Sequence, residues 1–390
     1  PAPAPAPSTT AAPPPPPTTS AARTPPRNTT TPRPTPPHDQ CTEHPGKSYR
    51  LDWRSVGKTF FDDWSFMQTD FNNGAVDYLT REDAIADKVV EAHETHAILR
   101  TGSRSSKRYK RNSAKLRSNR AWTYMLMAMK FSHTPWGCGL WPAFWTHAPG
   151  WRWPEGGELD ILEYVNDFPS QTSFHTGAKN KCTMDGGVVN MPYCQPMPDL
   201  NGMNYDCTTR YPKQLGCAPN KLPLWSPYEW AHNPSVIAVQ WTERFIKVFV
   251  IPERDIPADL ESDDPYPDGW DRWLVAWYPF ALSNERRPGT CANPGKVMEP
   301  QNLIININFC GDWAGKVWPF SGSCVNRVGP QFPLQCRAVD PLLDWGPNRS
   351  SDDCCTQFIV DEEGKYGADE YLRERAYFNM SWIKVYKPTD

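Results

Sequence analysis

An all-β fold, a sandwich or jelly roll of antiparallel sheets, is what the sequence predicts, and three observations predict it. Short apolar and aromatic runs recur between Gly, Pro and Asn punctuation. No βαβ alternation is visible. Most of the twelve cysteines fall in segments without periodicity. Strands joined by turns and loops, and not by helices, pair antiparallel and bury one sheet against another.

Taken in order, residues 1–40 are Pro, Ala and Thr with almost no large apolar residue. Such a segment cannot bury a core and is expected to be an extended, polyproline-like linker, open to O-glycosylation. A passive tail fits it better than a recognition motif. From Tyr49 to Lys387 the chain is aromatic-rich, without a second linker or repeat, so residues 41–390 read as one large domain. One helix is expected near Arg81 to His93. Trp122 to Phe131 is aromatic and apolar without a helical stripe and reads as a strand. Val236 to Trp241 and Phe245 to Val250 flank Thr242-Glu243-Arg244 as a hairpin, and Leu303 to Phe309 and Trp382 to Tyr386 add two more strands. Segments 178–232, 254–300 and 322–352 read as long loops pinned by disulfides around one working face.

Charge and cysteine usage narrow the setting. With 41 basic and 44 acidic residues the net charge is −3, which points to neither nucleic acid nor an anionic membrane as partner. No apolar run approaches the roughly 18 residues of a spanning helix. An even cysteine count without CxxC pairs reads as disulfides of a secreted, extracellular or cell-wall protein. The sequons at Asn28, Asn348 and Asn379 fit secretion. The opening at a proline, with no signal peptide, suggests a processed product. His93 and His96 form an H-x-x-H without a third ligand, so no metal site is expected from them. The basic run Arg104 to Arg120 reads as a solvated loop.

One stretch carries chemistry. Gly156-Gly157-Glu158-Leu159-Asp160-Ile161-Leu162-Glu163-Tyr164-Val165-Asn166 places three carboxylates in an apolar, strand-like segment. On a helix the three acids would point to different sides. On a strand Glu158 and Asp160 share a face, and Glu163 joins them only if a one-residue bulge resets the parity. Two glutamates so placed stand about 13 Å apart at their backbones, close enough for leaning side chains to approach the roughly 5–5.5 Å carboxyl spacing of a retaining glycosidase. Acids are ordinary on a solvated surface, but among Leu159, Ile161, Leu162 and Val165 they cost folding energy, and function is the reason to keep them. With strand parity, Tyr164 turns away from the acids' face.

Gly137-Cys138-Gly139-Leu140-Trp141-Pro142-Ala143-Phe144-Trp145, Trp153-Pro154 and the Glu158–Glu163 motif resemble glycoside hydrolase family 16, specifically the fungal laminarinase-like endo-β-1,3(4)-glucanases. The similarity continues in Ser173-Phe174-His175-Thr176, Val239-Gln240-Trp241-Thr242, Ile256-Pro257-Ala258, Phe309-Cys310-Gly311-Asp312-Trp313-Ala314-Gly315 and Trp382-Ile383-Lys384-Val385-Tyr386, so it spans roughly residues 49–388. It implies a concave β-jelly roll with the motif strand along the cleft. Glu158 then resembles the nucleophile and Glu163 the acid/base. Asp160 would orient Glu158 and keep Glu163 protonated, or else be a structural acid. His175 resembles a histidine near the acid/base, with a satisfied structural histidine as the other reading. Trp141, Trp145 and Trp241 are candidates for stacking on glucose, though any of them could equally be core. Asn166 could donate to a sugar hydroxyl or simply form a turn.

The resemblance implies a monomer acting on β-glucan and requiring no cofactor. Some members bind a structural calcium on the convex face, but no ligand set for it is readable here. Three functions follow in order: a retaining endo-β-glucanase on β-1,3 or mixed β-1,3/1,4-glucan, a cell-wall transglycosylase, and a non-catalytic glucan-binding module. The family's transglycosylases usually carry a shorter Glu-x-Asp-x-Glu, and its binding modules lack the glutamates. A carbohydrate-binding module or an anchor upstream of the linker would suit such a chain.

Overall fold

The structure, a computed structural model, describes residues 45–169, 171–179, 182, 189–190, 195–196, 206–209, 216–218, 225–280, 291, 297–328 and 354–389. Its strands are β1 (Tyr49–Val56), β2 (Trp64–Phe66), β3 (Val76–Tyr78), β4 (Val90–Ala92), β5 (Ala97–Arg100), β6 (Arg111–Ser113), β7 (Lys115–Trp122), β8 (Leu126–His133) and β9 (Leu140–His147). They continue as β10 (Glu158–Glu163), β11 (Gln171–His175), β12 (Val189–Asn190), β13 (Gln195–Pro196), β14 (Ser235–Trp241), β15 (Phe245–Pro252), β16 (Leu274–Pro279), β17 (Gln301–Phe309) and β18 (Tyr377–Pro388). Among the described residues ten strands form one sheet, in the order β13-β12-β16-β15-β14-β8-β18-β5-β4 with β1 also on β18. Six form the other, β11-β10-β9-β17-β7-β2, and β3 pairs in parallel with β6.

The main core lies between the two larger sheets. Met127 and Met129 of β8, Ile237 and Val239 of β14, and Ile383 and Val385 of β18 meet Leu116, Phe144, Leu159, Leu162, Leu303 and Ile305 from the other side. The ten-stranded sheet is covered on its outer face too. Val236, Ala238, Phe249 and Ile251 pack there against Leu260, Trp270 and Leu274. Burial on both faces explains why Ser235–Trp241 is buried at every position and reads as an unbroken apolar run. The six-stranded sheet is different: β9 alternates, with Trp141, Trp145 and His147 only partly buried, so its outer face is open.

The hairpin expected at Thr242-Glu243-Arg244 is present, with Val236 opposite Ile251 and Trp241 opposite Ile246. The expected strand from Trp122 to Phe131 is two strands. Tyr124 has φ 53° and marks the break at which the chain leaves β7 and enters β8 in the other sheet. The helix near Arg81 ends at Ala86, as α1 (Arg81–Ala86), and Val90–Ala92 is strand. Thr80 caps it through the Asp83 N–H. Helices α2 (Pro227–His232) and α3 (Ala258–Glu261) lie within two segments read from sequence as loops.

The basic run is a correction as well. It contains β6 and most of β7: Arg111 on β6 is buried, bonded to the Ile359 and Gly102 carbonyls and to Asp369, and Lys115 is partly buried on β7, an inner strand of the six-stranded sheet. Disulfides join Cys138 to Cys324, Cys182 to Cys291, Cys207 to Cys217 and Cys310 to Cys355. Asn379 lies on β18; Asn28 and Asn348 fall outside the described residues. No helix among the described residues is long and apolar enough to cross a membrane.

Candidate active site

β10 lies between β9 and β11 and begins immediately after Gly157. That glycine has φ +81°, and a Cβ on it would stand 2.7 Å from Met298 Cγ, so the turn into the strand requires glycine. Glu158 then faces His147 and His175, and Asp160 faces Trp145 and Ser173. Between Asp160 and Leu162 the register against β9 slips by one, leaving Ile161 unpaired there, and Glu163 comes to stand opposite Ala143 and Gln171. This is the parity-resetting bulge. Thr172 donates its hydroxyl to the Ile161 carbonyl at 3.2 Å, satisfying an acceptor within the bulge. Glu158, Asp160 and Glu163 share the open face, while Leu159 and Leu162 enter the core.

Each acid has defined partners. Trp141 donates its indole N–H to Glu163 Oε1 at 2.7 Å. The Trp153 indole is hydrogen-bonded to Glu158. Ser173 Oγ donates to Asp160 Oδ2 at 2.6 Å, and His175 Nε2 lies 3.1 Å from the same oxygen. His175 Nδ1 is 3.0 Å from Thr209 Oγ1, so both ring nitrogens are engaged. Glu158, Asp160 and His175 offer donor atoms within 4.8 Å of one another, a spacing that could hold a cation. Ser173, Asp160 and Thr209 already serve the imidazole, and the trio reads as a carboxylate pair with its positioning histidine.

Burial dominates the electrostatics. It pushes Glu158 well above the ordinary carboxylate range, and the charges of Asp160 and Glu163 push the same way; the Trp153 N–H and the Lys115 ammonium oppose. Burial raises Glu163 too, with Asp160 next, and only the Trp141 N–H opposes. The two glutamates therefore titrate as a pair that retains a proton to unusually high pH. Lys115 acts on Glu158 alone of the two and favours its charged form.

The neighbouring strands complete the face. Trp145 donates to Asn306 Oδ1 at 2.8 Å, and Trp141 meets Trp313 edge to face at 5.7 Å. Lys115 lies opposite Asn306 on β7, with its ammonium 5.9 Å from the Trp145 ring and 5.7 Å from Phe71. Phe71 is 81 % exposed. His147 and Asn302 stand side by side in the row of Glu158, and His147 Nε2 and Asn302 Oδ1 are buried without protein partners.

Two sequence candidates are not part of this face. Trp241 belongs to the other sheet, 2 % exposed, in the core against Tyr124. Proximity in sequence motifs misplaced it, since burial of β14 on both faces leaves no ring free for sugar. Asn166 is also buried. It accepts from the Gly139 N–H at 2.8 Å and donates to the Ala314 carbonyl at 2.9 Å, tying loops together and leaving nothing for a sugar. Tyr164 turns away, as its parity requires, and donates to the Pro135 carbonyl at 2.7 Å. Trp153, Lys115, Ser173 and Thr209 are residues that sequence reasoning missed as site members; Trp153 and Ser173 left a signal, in the Trp-Pro pair ahead of the motif and at the head of Ser173-Phe174-His175-Thr176.

A family model described as the XgeA-like, catalytic GH16 domain matches residues 64–332. The chain belongs to glycoside hydrolase family 16. An endo-1,3(4)-β-glucanase of Arthroderma benhamiae is 28 % identical over 332 residues, 83 % of this chain and 61 % of that protein. A probable glycosidase of Schizosaccharomyces pombe is 30 % identical over 274 residues, 67 % of this chain and 59 % of the relative. The family 16 chain thus spans about three fifths of the length of these relatives. Laminarinase 16A of Phanerochaete chrysosporium, solved with β-glucans in donor and acceptor sites, superposes with a TM-score of 0.64 at 26 % identity, covering 87 % of this chain and 100 % of that one. A structure described as an elongating family 16 β-1,3-glucosyltransferase superposes at 0.61, also at 26 % identity, with 87 % and 100 % covered.

Proposed function

We propose that the chain is a retaining endo-β-glucanase that cuts β-1,3 or mixed β-1,3/1,4-glucan by double displacement. The observation that carries this reading is the bulge at Ile161, which puts the buried Glu158 and the half-buried Glu163 on the open face of one strand. Glu158, ionised beside Lys115 and the Trp153 N–H, attacks the anomeric carbon. The bond to the leaving glycosidic oxygen breaks as Glu163 gives that oxygen its proton. In the second step Glu163 takes a proton from water, the water oxygen bonds to the anomeric carbon, and Glu158 leaves as carboxylate. Two inversions give net retention. Two carboxyls and water suffice, so no cofactor enters.

Trp141, Trp145 and the exposed Phe71 offer ring faces to sugars on the same side, and His147 Nε2 and Asn302 Oδ1 would take a hydroxyl or a water. The named activities of the relatives and structural neighbours support a β-glucan substrate. The four disulfides between described residues support passage through an oxidising compartment and secretion. Residues 1–40 serve as a linker and 41–390 as the catalytic domain, acting as a monomer.

The deciding experiment is a time course on laminarin and a mixed-linkage glucan, following product size and anomeric configuration, for wild type beside Glu158→Gln. Short β-configured oligosaccharides that vanish with the variant support the reading. Immediate α-anomers, or no turnover on either glucan, would overturn it. The second reading is glucosyl transfer to a sugar acceptor, favoured by the fold's likeness to the elongating glucosyltransferase; products longer than the starting oligomers would establish it.

A further inference from the structure

The sequon Asn379-Met380-Ser381 lies on β18, far from the catalytic strand in the fold's plan. Phe378 and Met380 enter the main core, so Tyr377 and Asn379 between and beside them face outward, away from the other sheet. The Asn379 side chain is half-buried. Among the described residues its amide has no hydrogen-bond partner, and neither of its polar atoms is sealed from solvent. The asparagines of β17 differ, since Asn302, Asn306 and Asn308 each donate to a protein acceptor. Nothing in the fold uses the Asn379 amide.

Two rings flank that amide. Tyr377 stands on the same face of β18, and His133 of β8 lies directly opposite Asn379. The register slips there, with Ser132 as the extra residue, and the slip turns His133 outward. The imidazole stacks on the Tyr377 ring at 3.8 Å with 5° between the planes, and its Nδ1 donates to the Tyr377 carbonyl at 2.8 Å. Burial pushes His133 down to about 4, so the stack carries no charge above that pH. A flat, uncharged aromatic surface suits the C–H face of a pyranose.

We propose that Asn379 carries an N-linked glycan whose first sugar packs on the Tyr377–His133 stack. The inference rests on the secretory passage proposed above, where the donor is an oligosaccharide on a lipid pyrophosphate. Asn379 Nδ2 bonds to the anomeric carbon of that donor and gives up one proton. The bond from the same carbon to the pyrophosphate oxygen breaks, and the oxygen leaves with the electron pair. Backbone pairing sets the timing. Asn379 and Met380 are paired with β5 on one side and β8 on the other, so the triplet is open to a transferase only before β18 enters its sheet. The glycan stands on the outer face of the ten-stranded sheet, and the acids on the open face of the six-stranded one. It therefore leaves the glucan path clear.

The test is a peptide mass map of the full chain, led by a signal peptide through the secretory pathway of a eukaryotic host, before and after release by peptide N-glycosidase. Release should convert position 379 to the acid in wild type. Asn379→Gln and Ser381→Ala, secreted alike, should show no change there. A secreted chain with Asn379 bare would overturn the site, and the disulfides in the same map report separately on the secretory reading. Trimming the glycan to its first sugar should leave the melting temperature unmoved, whereas stripping the whole glycan should lower it by roughly 2 °C. Tyr377→Ala undergoes the same conversion to the acid but should lose less on stripping. An equal drop in wild type and Tyr377→Ala would overturn the packing. Laminarin hydrolysis should be the same with and without the glycan; a change in rate would overturn its placement off the glucan path.

Discussion

The indole N–H of Trp141 donates to Glu163 at 2.7 Å, so the proposed acid/base is held by a donor that favours its charged form. The contact fixes the carboxyl's orientation at some cost to its proton affinity. Trp141→Phe keeps a ring and removes the donor. The alkaline limb of kcat/KM should move to higher pH, and kcat should fall by roughly tenfold as the carboxyl loses its orientation. A pH profile of the variant checks both; a limb unmoved or shifted downward would contradict the assignment of the proton to Glu163.

Asp160 acts on the same proton in the opposite sense. Its charge raises Glu163, so Asp160→Asn should let Glu163 deprotonate earlier. The alkaline limb then shifts to lower pH, with a loss in kcat because Ser173 and His175 lose their acceptor. Paired profiles of Asp160→Asn and Trp141→Phe, moving in opposite directions, are the measurement.

Glu158 is held above its unfolded proton affinity. The folded state therefore binds the proton more tightly, and stability is lost as pH rises through the unfolded carboxylate range and above it, at about 1.4 kcal/mol for each unit of difference. Glu158→Gln should abolish turnover yet raise the melting temperature at pH 7, by roughly 2–4 °C per kcal/mol. The gain should vanish near pH 4, where both states carry the proton. A variant that melts lower at pH 7 would argue against this burial cost.

Trp145 and Trp241 separate cleft from core. Trp145→Ala should raise KM on laminarin several-fold with a smaller loss of stability. Trp241→Ala should leave KM unchanged and cost about 3–5 kcal/mol in denaturant unfolding. The converse pattern would return Trp241 to the substrate.

Deleting Ile161 removes the bulge residue and leaves regular alternation, with Leu162 still in the core and Glu163 still on the open face one residue closer to Asp160. Folding should be retained, because no charge enters the core, and the changed approach of the two carboxyls should show as an altered ratio of hydrolysis to glucosyl transfer in the product profile. Substituting Ile161→Val at full length should cost about 0.5–1.5 kcal/mol and keep activity, which separates the residue count from the side chain's identity.

Much of this was legible in the primary structure, for physical reasons that can be named. The parity conflict among Glu158, Asp160 and Glu163 pointed to a bulge because side chains on a strand can face only two ways. The hairpin at Thr242-Glu243-Arg244 was visible because two apolar runs flank a polar turn. Trp241 and Trp145 could not be told apart, since an aromatic ring in a strand looks alike whether its sheet is covered on one face or two. Lys115 was hidden for the opposite reason. It sits in a run of charges that suggests a solvated loop, and only the pairing of β7 with β17 carries it to the open face. Thr209 was beyond reach, because a long-range backbone bridge to Thr176 and the Cys207–Cys217 disulfide, and not local sequence, bring it to His175.

That last contact ties the cleft to thiol chemistry. Thr209 sits within the loop closed by Cys207 and Cys217, ten positions apart, and Cys217 exchanges backbone hydrogen bonds with Phe174, next to the histidine. Reduction would open that ring and leave Thr209 held by its N–H to the Thr176 carbonyl. The network beside the proposed nucleophile would then be firmest after oxidation, so maturation of the site would follow the redox history of the chain.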